Sequence, residues 1–126
     1  MEEKIRKVAV VGTGLLGTQI AIQATCFGYE VSAHDPDEGS FNRVQQNLKA
    51  SMKISGGEPV VPMEEWEKGV QKVNLCKELE DALRDADLVI EAVPEDLELK
   101  RKVFKMFDAL ASRGAILATN SSSIPI

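Results

Sequence analysis

Four positions in this chain of 126 residues have types and spacing suited to holding a phosphate-bearing ligand. Gly12, Gly14 and Gly17 close the apolar run Val8-Ala9-Val10-Val11, and Asp35 follows further on. Gly-x-Gly-x-x-Gly after a β-branched run is the pattern of a dinucleotide-binding turn. Each glycine has its own task there. Gly12 takes a positive φ that a Cβ would oppose. Gly14 lets the backbone approach a pyrophosphate, and Gly17 lets a helix lie close to the strand. Leu15 and Leu16 open that helix, whose free N–H groups and positive dipole end face the phosphates. An acid at the end of the next strand, Asp35, accepts hydrogen bonds from the adenosine ribose of NAD, and its charge opposes the extra phosphate of NADP. The glycine spacing alone also occurs in turns that hold no ligand, and Asp35-Pro36-Asp37 also reads as a turn or a helix cap. His34 is the single histidine, and it lies beside Asp35 on the adenosine side, far from where a hydride-transfer base must sit.

The elements that must position these residues follow from hydrophobic period. Residues 6–11 read as a buried strand, because the apolar run is continuous rather than alternating. Residues 15–27 read as a helix with a thin face of Gly17, Ala21 and Ala24, ended by Gly28. Residues 30–34 make a second strand. Asp37 caps a helix over about 38–54 with the stripe Phe41, Val44, Leu48 and Met52. Residues 56–62 form a loop, closed by Pro62. A short helix at 63–69 carries Trp66 as an amphipathic cover, Val70–Leu75 offers a short strand, and Glu78–Leu83 a short helix. Residues 87–93 are a strong strand stopped by Pro94, and 96–112 a long helix with Leu99, Val103, Phe104, Phe107, Leu110 and Ala111 on its apolar face. Gly114 ends it, 115–119 form the last strand, and Asn120-Ser121-Ser122-Ser123 is a polar turn. Strands alternating with helices imply an α/β fold, a Rossmann-type doubly wound parallel sheet. The full fold has six strands, so residues 1–126 read as one NAD-binding domain truncated after about five, a fragment of a longer protein. The open edge of 115–119 is expected to pair with another chain or to be covered by the tail.

Bulk properties exclude several classes. A net charge of −5 argues against a nucleic-acid surface. No apolar run reaches membrane-spanning length, and the start Met-Glu-Glu-Lys is not a signal peptide. Cys26 and Cys76 are too few and too distant for a disulfide scaffold, so a reduced, cytoplasmic protein is expected. No metal-ligand spacing is present.

The stretches Val8–Gly17, Ala-Asp-Leu-Val-Ile-Glu-Ala-Val-Pro-Glu-Asp-Leu-Glu-Leu-Lys (86–100) and Ala-Thr-Asn-Ser-Ser-Ser-Ile (118–124) resemble the N-terminal domain of the 3-hydroxyacyl-CoA dehydrogenases. The superfamily includes lambda-crystallin-type L-gulonate dehydrogenases and carnitine dehydrogenases, which closely share Pro-Glu-Asp-Leu-Glu-Leu-Lys. The resemblance implies that Glu95 and Lys100 line the cofactor cleft. It implies that Asn120 lies there too, and that Ser122 contacts the nicotinamide region and orients the substrate hydroxyl. It also implies NAD as the cofactor, an acyl-CoA substrate, fatty acid β-oxidation and a homodimer built through a helical C-terminal domain.

On the residues alone, Glu95 also fits a first-turn acid, Lys100 a solvated Lys100-Arg101-Lys102 face, and Ser122 a helix cap. Glu91 interrupts an apolar strand, so it must find a partner or face the cleft. The family's catalytic histidine and glutamate follow the Asn-Ser-Ser segment, and no histidine follows His34. The chain alone is therefore expected to bind NAD without turnover. The family's coenzyme A contacts are a serine, which aligns near Asn47, and a lysine with no convincing match here. Gulonate or carnitine as substrate, or a non-catalytic dinucleotide-binding module, are the alternatives.

Overall fold

The computed structural model describes residues 5–55, 61–93, 97–110 and 114–119. In chain order the elements are β1 (Lys7–Val11), α1 (Leu15–Cys26), β2 (Glu30–His34), α2 (Ser40–Ser55), α3 (Met63–Lys72), β3 (Asn74–Leu75), α4 (Leu79–Leu83), β4 (Leu88–Glu91), α5 (Leu97–Leu110) and β5 (Ile116–Thr119). The strands form one parallel sheet in the order β3-β2-β1-β4-β5. The order reverses direction at β1, whose neighbours are β2 and β4. Open α/β sheets bind ligands at such a switch point, beyond the carboxyl ends of the strands. Register sets Val11 level with His34 on one side and Glu91 on the other, and Glu91 level with Thr119.

Burial explains the unbroken run in β1. Val8 and Val10 pack with Ile22, Val31, Ala33, Phe41 and Trp66 on one face, while Ala9 and Val11 pack with Leu83, Val89 and Val103 on the other. A strand covered on both faces has no side on which polar residues are favoured. α1 ends as its glycine predicts. Gly28 has φ +94°, its N–H donates to the Thr25 carbonyl, and the Tyr29 N–H donates back to Ala24, the Schellman pattern. Gly114 likewise takes φ +90° before β5. At the opposite end of the sheet, the Asp87 carboxylate accepts the Arg6 and Lys7 N–H groups at 2.9 and 3.0 Å, joining the start of β4 to the start of β1.

Several local expectations are corrected. α2 starts at Ser40 rather than 38, because the Asp37 carboxylate accepts the Gly39 N–H at 3.1 Å in an Asx-type turn. Trp66 turns inward from α3 and is buried against the β1 and β2 core, as an amphipathic cover requires. Residues 70–72 are helix, and only Asn74–Leu75 are strand. Val70 lies one turn beyond Trp66 and packs on the same cluster, so helical period wins over strand propensity there. β4 is shorter than 87–93, running from Leu88 to Glu91, with the Ala92 N–H making a last bond to the Val11 carbonyl. β5 is the outermost strand among the described residues, and Ile116 on it is exposed. The tail, the loop residues 56–60 and Pro94 lie outside the described residues.

Two outcomes follow. A Cβ on Gly69 would stand 2.6 Å from Cys26 Sγ and 2.9 Å from Thr25 Oγ1, where α3 crosses α1. Gly69→Ala is expected to lower the unfolding free energy by about 1–3 kcal/mol in urea titration, as overpacking does. The Lys7 and Arg6 N–H groups hold the Asp87 carboxyl below its usual range. A depressed folded-state pKa contributes stability that is present above the unfolded value of about 3.9 and lost as pH falls through the folded one. Asp87→Asn is expected to flatten the acid limb of a thermal-stability profile below the unfolded value of about 3.9.

Candidate functional site

The turn from β1 into α1 needs two of its glycines for internal reasons. Gly12 has φ +101°, and a Cβ on it would lie 2.6 Å from the Ala92 carbonyl oxygen. A Cβ on Gly17 would lie 1.8 Å from the Gly12 carbonyl oxygen. Gly14 differs. It is the extended N-cap of α1, and a Cβ there would meet no protein atom within 4 Å. The protein's own packing does not require a glycine at this position. An open approach beside a helix start fits a group that comes in from outside. That start has no side-chain cap and no acid in its first turn, and Leu15 and Leu16 are exposed there. The N–H groups and the dipole are thus left to an anion, and a dinucleotide pyrophosphate fits them.

Asp35 stands just beyond β2. Its Oδ2 accepts the Thr13 N–H at 2.8 Å and its Oδ1 accepts the Asp37 N–H at 2.8 Å. A carboxylate has about four lone-pair sites, so these two bonds leave acceptor capacity for ribose hydroxyls. Asp35 lines a groove with Thr13, Ala33, Asp37, Glu38 and Cys76. Asp37 pairs with Arg43 in α2, and that guanidinium holds the Asp37 carboxyl below its usual range. His34 Nδ1 lies 3.0 Å from the Cys76 carbonyl oxygen.

Sequence reasoning missed Thr13, Thr18 and Ser40. The Thr13 carbonyl accepts the Thr18 hydroxyl at 3.0 Å and the Ser40 hydroxyl at 2.6 Å, so the glycine turn is tied to α1 and to α2. The available signal was hydroxyl residues placed directly beside the glycines of both turns, at Gly12-Thr13, Gly17-Thr18 and Gly39-Ser40.

Glu91 finds a partner. It is 0% exposed, and its two oxygens lie 2.8 and 2.9 Å from Lys100 Nζ. Lys100 is 3% exposed, whereas Arg101 and Lys102 are exposed, so Lys100 does not belong to a solvated Lys100–Lys102 face. Of the expected cofactor residues, the structure brings together Gly12, Gly14, Leu15, Leu16, Gly17 and Asp35. It sets Lys100 on Glu91 beneath them. Glu95, Asn120 and Ser122 lie outside the described residues. Among the described residues, no group of three or more His, Cys, Asp or Glu could hold a metal ion, and no helix is long and apolar enough to cross a membrane.

Comparison with known proteins agrees with this geometry. Residues 7–126 match the family described as 3-hydroxyacyl-CoA dehydrogenase, NAD binding domain. The chain is 34% identical over 122 residues to the L-carnitine dehydrogenase of Oceanobacillus iheyensis, covering 95% of this chain and 38% of that protein. It is 32% identical to the 3-hydroxybutyryl-CoA dehydrogenase of Bradyrhizobium diazoefficiens, covering 100% of this chain and 43% of that protein. Among solved structures, a diketoreductase superposes with a TM-score of 0.82 at 35% identity, covering 98% of this chain and 44% of that one. The chain therefore spans about two fifths of the length of these relatives. An NAD-shaped glycine turn, an acid at the end of β2 and a match from residue 7 to residue 126 lead to one conclusion: this chain belongs to the 3-hydroxyacyl-CoA dehydrogenase family and corresponds to the NAD-binding domain of its oxidoreductases.

Proposed function

We propose that the pyrophosphate of NAD sits on the Gly12–Gly17 turn and its adenosine ribose on Asp35, in a protein that oxidises the 3-hydroxyl of a 3-hydroxyacyl-CoA to the keto form. Gly14 carries this reading, as the N-cap of an uncapped helix start with no protein atom near the place of its Cβ. When bound, NAD supplies the acceptor for the hydrogen that the substrate carbon loses. The chain's own work is to bind and orient. The α1 start meets negative charge, and Asp35 fixes the adenosine end and disfavours a second phosphate on its ribose. Likeness to the family supports Glu95, Lys100 and Asn120 as further cofactor-lining residues, and Ser122 as the hydroxyl that orients the substrate oxygen by both donating and accepting. The family's histidine and glutamate pair, which takes the hydroxyl proton, has no histidine counterpart after His34.

The unpaired Cys26 and Cys76 fit a reducing, cytoplasmic compartment. A homodimer and a role in β-oxidation rest on the family likeness, as does an architecture in which residues 1–126 are one domain of a longer, two-domain protein. A small polar hydroxy acid of the carnitine type is the second reading for the substrate, favoured by the 34% identity to an L-carnitine dehydrogenase.

Calorimetry tests the cofactor site. Gly14→Ala is expected to leave stability within about 0.5 kcal/mol while lowering NAD affinity about tenfold or more, because the Cβ projects into the ligand's approach. Asp35→Ala is expected to weaken NAD while narrowing its preference over NADP. Unchanged NAD affinity in both variants would refute the site. In a separate assay, the chain mixed with NAD and either 3-hydroxybutyryl-CoA or carnitine is expected to give no NADH absorbance. Turnover of either compound would show a catalytic base within this chain and would identify the substrate class.

A further inference from the structure

Glu91 is a fully buried carboxylate that the cofactor reading does not use. Its Oε1 accepts from Lys100 Nζ at 2.8 Å and from Thr119 Oγ1 at 2.8 Å. Its Oε2 accepts from Lys100 Nζ at 2.9 Å and from the Val93 N–H at 2.9 Å. One side chain thus joins the end of β4 to α5 and β5. The Val93 bond also folds the chain back on Glu91 at the end of β4, and the segment it holds lies against the glycine turn. The Ala92 N–H donates to the Val11 carbonyl at 2.8 Å. A Cβ on Gly12 would stand 2.6 Å from the Ala92 carbonyl oxygen and 2.9 Å from the Val93 nitrogen, and one on Gly17 would stand 3.4 Å from Ala92 Cβ.

We propose that Glu91 is a positioning residue for the pyrophosphate site, acting through Ala92 and Val93, whose backbone it holds as the floor of the Gly12–Gly17 turn. Stability alone is a weak reason for such a pair, since apolar replacements of buried ion pairs are often neutral or stabilising. A backbone floor requires an acceptor aimed at the Val93 N–H, and a carboxylate neutralised by Lys100 provides it. The inference rests on the glycine turn being the seat of the pyrophosphate.

The test is an amide NMR titration of the wild type and Glu91→Gln with three probes: NAD, ADP-ribose and adenosine. The expected result is that NAD and ADP-ribose weaken about tenfold or more, as small displacements of a binding group do, while adenosine, held on the Asp35 side, binds as in the wild type. Equal weakening of all three probes would indicate a general structural loss and would overturn the proposal. So would unchanged NAD and ADP-ribose affinity in the folded variant. If Glu91→Gln does not fold, Glu91→Asp keeps a charge opposite Lys100 while its shorter side chain withdraws the acceptor from the Val93 N–H, and it is read in the same way. Wild-type NAD shifts that do not centre on the Gly12–Gly17 amides would mean that the cofactor reading has failed, and the proposal with it. Shifts that do centre there, but are insensitive to Glu91, would sink the proposal alone.

Discussion

The backbone after β1 touches the backbone after β4, and the rest of the site depends on that contact. Gly12 has no room for a side chain because the Ala92 carbonyl occupies it, and Gly17 has none because the Gly12 carbonyl does. These contacts draw α1 down onto the sheet and point its N-terminus across the carboxyl ends of the strands. The helix start is then fixed in the crevice where the strand order reverses, the place an open α/β sheet offers to a ligand. A binding surface made of backbone N–H groups has no side chains that can adjust. Its geometry is only as good as the packing beneath it.

That packing is reinforced by polar contacts of unequal weight. Surface pairs such as Arg84 with Glu80 and Lys68 with Glu65 are solvated on both sides and contribute little. The Thr13 hub is different in kind. Its N–H reaches Asp35, and its carbonyl takes the Thr18 and Ser40 hydroxyls, so the glycine turn is joined to the end of β2, to α1 and to the start of α2. The Glu91 and Lys100 pair braces the other flank from within the core. A buried carboxylate of this kind is tolerated only with its lone pairs occupied and its charge opposed, and both conditions are met here.

Family membership and chemistry sit at different levels in this chain. Relatives that match it across nearly its whole length carry different substrates in their names, carnitine in one and hydroxybutyryl-CoA in another. What they share with it is the part of the fold that holds the dinucleotide. This is the expected division when function resides in sites built onto a common scaffold. The chain spans 38% and 43% of those two relatives.

Local chemistry made much of this legible. The unbroken β1 run announced a strand covered on both faces, the Gly-x-Gly-x-x-Gly spacing announced a turn that needs positive φ and close approach, and Gly28 marked a helix end that takes positive φ. Each of these signals depends on neighbours in sequence, which is why it survives without coordinates. The misreadings had the opposite character. Val70 is β-branched and reads locally as strand, but it shares a helix face with Trp66 one turn earlier and packs on the same cluster. Glu91 presented the sharpest limit. Its sequence position established only that a buried acid must have a partner or a cleft. The choice fell to Lys100 and Thr119, nine and twenty-eight residues away, which the β4–α5–β5 crossover carries to its carboxylate. The sequence by itself determined the fold class and the glycine turn between β1 and α1, because period and backbone sterics are local. Only the tertiary structure decided what supports that turn, because a buried charge is satisfied by whichever groups the topology brings within hydrogen-bond reach.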